Sequence, residues 1–254
     1  MTEVERAATV LAESARAGRP IVAFTGAGIS QESGVPTFRG AAGLWTEHQP
    51  ARVASREGFV ADPAYVWRFH EELRRVCREA APNPAHIALA WIETALADSV
   101  PTPVITQNID GLHQEGGSRD VIELHGNAQR VRCTRCAYTS DDLPTAFEEL
   151  PPLCACGALL RPDVVWLGEE LPREAMRRAQ QWAEQGGVML IVGTSATVQP
   201  AATLPMLALQ HGAALVEINP EATPISALAQ VSLRGRAGRL LPELAEALAT
   251  ALDT

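Results

Sequence analysis

An apolar run, Pro20-Ile-Val-Ala-Phe24, leads directly into Thr25-Gly-Ala-Gly-Ile-Ser-Gln-Glu-Ser-Gly-Val-Pro-Thr-Phe-Arg-Gly40. No other segment constrains the fold as much. The run reads as a buried strand. The two glycines let the backbone turn sharply and approach a phosphate with no Cβ in the way. A strand feeding such a loop is the opening of a parallel α/β sheet. It is not the opening of a dehydrogenase. The third glycine of G-x-G-x-x-G would fall at position 31, which is Gln31. The ribose-binding acid expected about 20 residues on is also missing, because Ala41-Ala-Gly-Leu-Trp45 is not a second strand. Phe38 and Arg39 instead place an aromatic and a guanidinium beside the loop.

The rest of the chain alternates as an α/β sheet requires. Patterning predicts helices near 3–17, 63–80, 84–97 and 237–252, and strands at 20–24, 104–106, 121–124, 164–166, 188–192 and 213–218. The last two strands are continuous apolar runs of the kind buried on both faces. There are 254 residues, enough for a large domain with a smaller insert. No apolar stretch is long enough to span a bilayer, and no signal-peptide core follows the charged start. These features predict a cytoplasmic protein without membrane contact. A net charge of -9 argues against direct nucleic-acid binding and favours a basic peptide partner. All 21 basic residues are Arg, which excludes P-loop and Schiff-base lysines.

Four of the five cysteines form two close pairs, Cys133-Thr-Arg-Cys136 and Cys154-Ala-Cys156, seventeen residues apart. Four thiolates so spaced can close a tetrahedral shell around one structural Zn²⁺, leaving no position for water. Disulfides are the alternative, disfavoured in a reducing compartment. Cys77 stands alone in a helical stretch and reads as core.

Polar residues gather at predicted strand ends. Gln107-Asn108-Ile109-Asp110 follows one strand and His125-Gly126 another. Asn108 and Asp110, at i and i+2 on an extended segment, point the same way. A histidine at a strand end can take a proton from a ribose hydroxyl near neutral pH.

The glycine-loop string, Thr106-Gln-Asn-Ile-Asp-Gly-Leu-His113 and Leu124-His-Gly126 closely resemble the signatures of the sirtuins, NAD-consuming protein deacylases. The likeness covers roughly residues 20–245. It implies a Rossmann-type NAD-binding domain (1–40, 80–127 and 162–254). A helical module (41–79) and a zinc module (128–161) form a smaller inserted domain, with a cleft between the two. It makes His125 the general base and has Asn108 and Asp110 position the nicotinamide end, with Gln107 and Ile109 beside them. Gly26, Ala27, Gly28, Ser30, Phe38 and Arg39 would surround the ribose-phosphate region. Gly193, Thr194 and Ser195 match a phosphate segment, expected at a helix start. Asn219 would hold the adenosine ribose, and Ala237 falls on an adenine-side loop. Val164 to Glu169 resembles a substrate segment with Leu167 where Phe is usual, so that Val164, Leu167 and Gly168 would pair with a peptide backbone. The implied reaction joins an acyl-lysine oxygen to the ribose carbon as nicotinamide departs. The ribose 2′-oxygen then attacks the imidate carbon and water finishes the transfer, giving free lysine, nicotinamide and O-acyl-ADP-ribose.

Gly43-Leu-Trp45 and Arg161-Pro-Asp-Val-Val-Trp166 look like the branch that includes desuccinylases. That branch grips a succinyl carboxylate with Tyr-x-x-Arg. Here the two positions are His70 and Leu73, and Ala54 keeps the pocket roomy. Losing the guanidinium favours acetyl or longer apolar acyl groups over succinyl, unless Arg74, one turn from His70, substitutes for it. A desuccinylase and a mono-ADP-ribosyltransferase are the alternatives.

Overall fold

The structure is a computed structural model that describes residues 1–37 and 43–253. Among the described residues, six strands form one parallel sheet in the order β3-β2-β1-β7-β8-β9. They are β1 (Ile21–Thr25), β2 (Val104–Thr106), β3 (Val121–Glu123), β7 (Val188–Val192), β8 (Ala214–Asn219) and β9 (Val231–Arg234). A second, antiparallel sheet has the order β5-β4-β6, from β4 (Gly126–Cys133), β5 (Thr139–Ser140) and β6 (Leu160–Val164). The expected fold class, a Rossmann-like parallel sheet with a smaller inserted module, is what the chain adopts.

Every residue of β1 and β7 is buried, as strands covered on both faces require. On one face the helices Glu3–Arg16, Pro84–Ala95 and Ala237–Leu252 supply Leu11, Leu89, Ile92 and Leu244 to the core. On the other, Arg173–Gln185 and Leu204–Gln210 supply Ala179, Ala183 and Leu204. A separate apolar cluster lies under the small sheet. It joins Trp67, Phe69 and Leu73 of the helix Pro63–Glu79 to Val131, Leu160 and Trp166. Local chemistry sets the helix starts. Thr2 and Glu5 form a capping box, Asp62 caps the helix that begins at Pro63, and Asn83 caps the one that begins at Pro84.

The structure departs from the predicted elements in several places. The strand expected at 164–166 lies earlier, at Leu160–Val164, and Val165 to Gly168 run on irregularly. Pairing causes the shift, since Leu160 to Val164 lie against β4. Strands β4 and β9 and the helices Arg56–Ala61 and Leu204–Gln210 lie outside the predicted elements and are short or weakly patterned. The helix Arg173–Gln185 also lies outside them, although Ala175, Met176, Ala179, Trp182 and Ala183 recur at helical spacing and face the core. No helix among the described residues is long and apolar enough to cross a membrane.

The register brings the carboxyl ends of four strands into line. Thr25 pairs with Thr106 on one side and Val192 on the other, and Val192 pairs with Ile218. Gly26, Gln107, Gly193 and Asn219 therefore lie along one edge. The order reverses between β1 and β7, so the loops at Gly26 and Gly193 meet at the topological switch point, where open α/β sheets hold ligands.

Candidate active site

Backbone packs on backbone at this switch point. The Gly28 N–H donates to the Gly193 carbonyl at 2.9 Å. A Cβ on Gly28 would stand 2.7 Å from that oxygen and 2.8 Å from Gly193 Cα. Gly193 has φ +60, and a Cβ there would meet Ile29 N at 2.4 Å. Both glycines are thus required by close approach and, at Gly193, by left-handed backbone. Gln107 ties this edge together. Its Nε2 donates to Thr194 Oγ1 (2.9 Å), and Asn219 Nδ2 donates to the Thr194 carbonyl (3.0 Å). Ser195 is exposed and meets Thr197 Oγ1 at 3.0 Å. The expected helix start at this segment is absent; the next α-helix begins only at Leu204, because Pro200 and a 3-10 turn intervene. Ala237 likewise opens the last helix, buried, and is not in a loop. Phe38 and Arg39 lie outside the described residues.

Ser30 is the hub of the buried end of the site. Asn108 Nδ2 donates to its hydroxyl at 3.1 Å. His86 Nδ1 accepts the Asn83 N–H at 3.2 Å, so the proton of the neutral ring is on Nε2, which donates to Ser30 Oγ at 3.3 Å. With two donors on its oxygen, Ser30 keeps its own proton free, and its hydroxyl favours the charged form of the Asp110 carboxyl. Burial pushes the Asp110 carboxyl up, opposed by the Leu112 N–H and Ser30. Burial lowers His86 to about 4, keeping it neutral. Asn108 and Asp110 do converge, as predicted, and what they converge on is Ser30. Ile109, between them, is buried. His86 and Asn83 were missed by sequence reasoning. The Asn-Pro helix start was visible, but nothing local showed that its third helical residue reaches Ser30.

His125 sits half-buried at the end of β3. Its Nδ1 lies 2.8 Å from the Gln107 carbonyl, which can only accept, so Nδ1 carries the proton and Nε2 presents a lone pair. Burial lowers its pKa below the ordinary value, partly opposed by the Gln107 bond. The arrangement is that of a neutral base with a fixed tautomer.

Segment 164–169 runs beside it. Gly126 pairs with Val164, the Val165 N–H donates to the His125 carbonyl, and the Leu167 N–H donates to the Ala54 carbonyl at 2.9 Å. The Trp166 N–H is taken by Glu169. Among the described bonds, Gly168 keeps the N–H of this segment that is open to another chain, and Leu167 is exposed. Behind Ala54, His70 Nε2 lies 3.0 Å from the Val53 carbonyl and 3.2 Å from Trp166 Nε1. Burial lowers His70 to about 4. Leu73 is buried in the small core. Arg74 is not available to grip an acyl carboxylate. It is buried, bonded to Glu71 and the Pro144 carbonyl, and stacked on Phe147. A cavity of about 760 Å³ lies elsewhere, between Arg56 and Phe59 on one side and Arg132 and Tyr138 on the other, and none of the predicted cofactor residues line it.

The sulfurs of Cys133, Cys136, Cys154 and Cys156 all lie within 4.8 Å of one another, with Cys133 to Cys156 at 3.5 Å and Cys136 to Cys154 at 3.8 Å. Those separations are too long for disulfides. They suit four thiolates about 3.8 Å apart around a tetrahedral ion with Zn–S bonds of about 2.3 Å. The backbone N–H groups of Arg135 and Cys136 point at Cys133 Sγ. This group could hold a metal ion. Cys77 is buried apart from it.

Residues 26–200 match the Sir2 family. An "NAD-dependent protein deacylase 2" of Pyrobaculum aerophilum is 50% identical over 245 residues, covering 96% of this chain and 97% of that protein. A solved mutant Sir2 homologue in complex with ADP-ribose has a TM-score of 0.92 at 43% identity, covering 100% and 98% of the two chains. Sir2Af2 bound to a myristoylated histone peptide has a TM-score of 0.76 at 34% identity, covering 98% and 97%. The chain belongs to the Sir2 family, the sirtuins that its motifs resemble.

Proposed function

We propose that the protein removes acyl groups from lysine side chains of proteins or peptides while consuming NAD⁺, giving nicotinamide and O-acyl-ADP-ribose. The observation that carries this reading is the His125 imidazole, locked by the Gln107 carbonyl with Nε2 free, beside both the glycine cradle and the substrate segment. The Pyrobaculum relative bears the same activity in its name, and solved relatives hold ADP-ribose and an acylated peptide.

The residues suit a dinucleotide, since two glycine loops close on each other at the switch point and the exposed Ser195 hydroxyl stands beside them. When bound, NAD⁺ supplies an electrophilic ribose carbon, nicotinamide as leaving group and a ribose hydroxyl as acyl acceptor. His125 Nε2 takes the hydroxyl proton, and the Gln107 carbonyl steadies the resulting imidazolium through Nδ1–H. Ser30, Asn108 and Asp110 hold the carboxamide end in a fixed hydrogen-bond pattern. Gly26, Ala27, Gly28, Gly193 and Ser195 border the phosphates, Gln107 and Thr194 link them, and Asn219 and Ala237 lie at the adenosine end. The peptide adds beside Leu167 and Gly168, its acyl chain entering past Ala54. Arg39 and Phe38 complete the cofactor loop.

The division into an NAD-binding lobe (1–40, 80–127, 162–254) and a smaller lobe (41–79, 128–161) belongs to this proposal, supported by their separate apolar clusters. So does a structural Zn²⁺ on the four cysteines, whose free thiolates suit a reducing, cytoplasmic setting.

Among the described residues, the side chains proposed to line the acyl pocket offer no free cation. Leu73 replaces the guanidinium, His70 is neutral and engaged by Trp166 and Val53, and Arg74 is held by Glu71. Acetyl and longer apolar chains are therefore favoured over succinyl. Mass spectrometry of acetyl-, myristoyl- and succinyl-lysine peptides, with and without NAD⁺, tests both parts. The expected result is NAD-dependent loss of acetyl and myristoyl exceeding that of succinyl. Preferred succinyl turnover would overturn the pocket argument, and acyl loss without NAD⁺ would overturn the reaction.

A further inference from the structure

Glu217 is fully buried in the middle of β8. A carboxylate there is costly unless its lone pairs are met. Among the described residues four side chains meet them. The hydroxyls of Thr223 and Ser226 donate from the loop that follows β8, Ser232 Oγ donates from β9 at 3.2 Å, and Arg234 Nη1 donates at 2.7 Å. Burial acts to raise the carboxyl's pKa, but the bonds from Thr223, Ser226 and Arg234, with the Arg234 charge, prevail and hold it below the ordinary range.

Beyond its own turn bonds, loop 220–230 is joined to the sheet by Ile225 and Ala229 in the core and by the Gln230 N–H on the Leu215 carbonyl, so the Glu217 bonds are its main side-chain tie to β8. Ile225 is its one buried residue; the others are half-buried or exposed. Arg234 fastens it further, donating to Ser226 Oγ (2.7 Å) and to the Glu221 carbonyl (3.3 Å). Strand alternation puts Glu217 and Asn219 on the same face of the sheet, and Asn219 is in register with Arg234. The tether thus lies directly beside the residue read as holding the adenosine ribose. An apolar side chain would fill this core position at lower cost, so the acid is explained by the loop geometry it imposes.

We propose that Glu217 is a positioning residue for the adenosine end of the dinucleotide, holding loop 220–230 in one conformation beside Asn219 so that the cofactor meets a preformed wall. This inference rests on the NAD-dependent reading above. Removing the tether makes the loop order itself at each binding event, which weakens cofactor binding and leaves the chemical step alone.

The test is steady-state kinetics and ADP-ribose calorimetry on the full chain and Glu217→Gln, with Thr223→Val/Ser226→Ala as a second variant that leaves the carboxylate and Arg234 in place. Glu217→Gln should raise the KM for NAD⁺ and the Kd for ADP-ribose together, by about tenfold, with kcat and peptide KM unchanged. The loop variant should move the same two constants in the same direction by about threefold, and it carries the test alone if Glu217→Gln does not fold. A lower Tm with unchanged KM and Kd would reduce Glu217 to a structural role and overturn the inference. So would a fall in kcat at constant KM. Failure of the unmodified chain to bind ADP-ribose would instead overturn the cofactor reading, and the inference with it.

Discussion

The two sheets of this molecule, each at the centre of one of the lobes proposed above, differ in what holds them together. In the large sheet, β7 reads Val-Met-Leu-Ile-Val with every side chain buried, and its neighbours β1 and β8 lie in unbroken parallel register. In the small sheet, β4 alternates between buried and half-buried residues and its register shifts between Gly126 and Val131. Its own apolar cluster, with Trp67, Phe69 and Trp166, is supplemented by ion pairs. Arg130 reaches Glu123 and Asp163, Arg161 clasps Glu169 while lying 3.4 Å from the Trp166 ring centroid, and Arg74 pairs with Glu71. The four cysteines close its far end. Apolar burial in the first is indifferent to metal, whereas a metal on the four cysteines, as proposed above, would add to the stability of the second. The residues proposed to bind NAD⁺ sit almost wholly with the large sheet, and those proposed to face the acyl-lysine sit where the two sheets meet.

The largest effect should come from removing the metal site. Cys133→Ser/Cys136→Ser, or a strong chelator, forfeits a binding free energy on the order of 10 kcal/mol. Hydrogen exchange should then show lost protection across 128–161 with β1, β7 and β8 still protected, and deacylation should vanish. Equal loss of protection in both sheets would break the comparison.

Gly28→Ala should come next, now beside the large sheet. Its Cβ would meet the Gly193 backbone at 2.7 Å, a clash worth about 1–3 kcal/mol. Chemical denaturation and the KM for NAD⁺ should both register it, while metal content stays the same. An unchanged KM would contradict the cradle.

Acid should weaken both lobes. His86 and His113 beneath the cofactor loop are lowered to about 4 and about 3, and His70 in the small lobe to about 4, each chiefly by burial. The unfolded chain therefore binds protons first. The stability these neutral rings contribute is complete above their ordinary value of 6.5 and is lost as pH falls through and below it, at about 1.4 kcal/mol per pH unit per histidine. Urea titrations stepped from pH 7 to pH 4.5, limits set at about one unit around that range, should show the fall. Activity should hold to more acid pH than an ordinary histidine allows, because His125 is also lowered by burial.

The smallest effect concerns the pocket wall. Leu73→Arg should raise succinyl turnover relative to acetyl by about tenfold at most, since burying a guanidinium in this core offsets part of the gain. No change in the ratio would separate Leu73 from acyl selection.

Much of this was legible in the chain because the signals are local. A strand running into Gly26 and Gly28 fixes the topology, and two cysteine pairs fix the small module. Asn108, Asp110 and His125 stand out because they follow strands. What stayed hidden depends on partners distant in sequence. His86 matters through Ser30, and Glu217 through Thr223, Ser226 and Arg234. Arg74 looked free on its helix and is taken by Pro144, a contact that no helical spacing reveals. Strand β6 begins before its apolar stretch because its register with β4, not its composition, sets its limits. The helix expected after Ser195 is delayed because Pro200 and the turn behind it come first.

The most direct test of the account is mass spectrometry of an acetyl-lysine peptide incubated with NAD⁺ and either the unmodified protein or His125→Ala. The account predicts deacetylated peptide and O-acetyl-ADP-ribose in equal amounts from the first, and a loss of about a hundredfold or more from the second, with its Tm and ADP-ribose binding intact. Deacetylation that needs no NAD⁺, or that survives in His125→Ala, would contradict it.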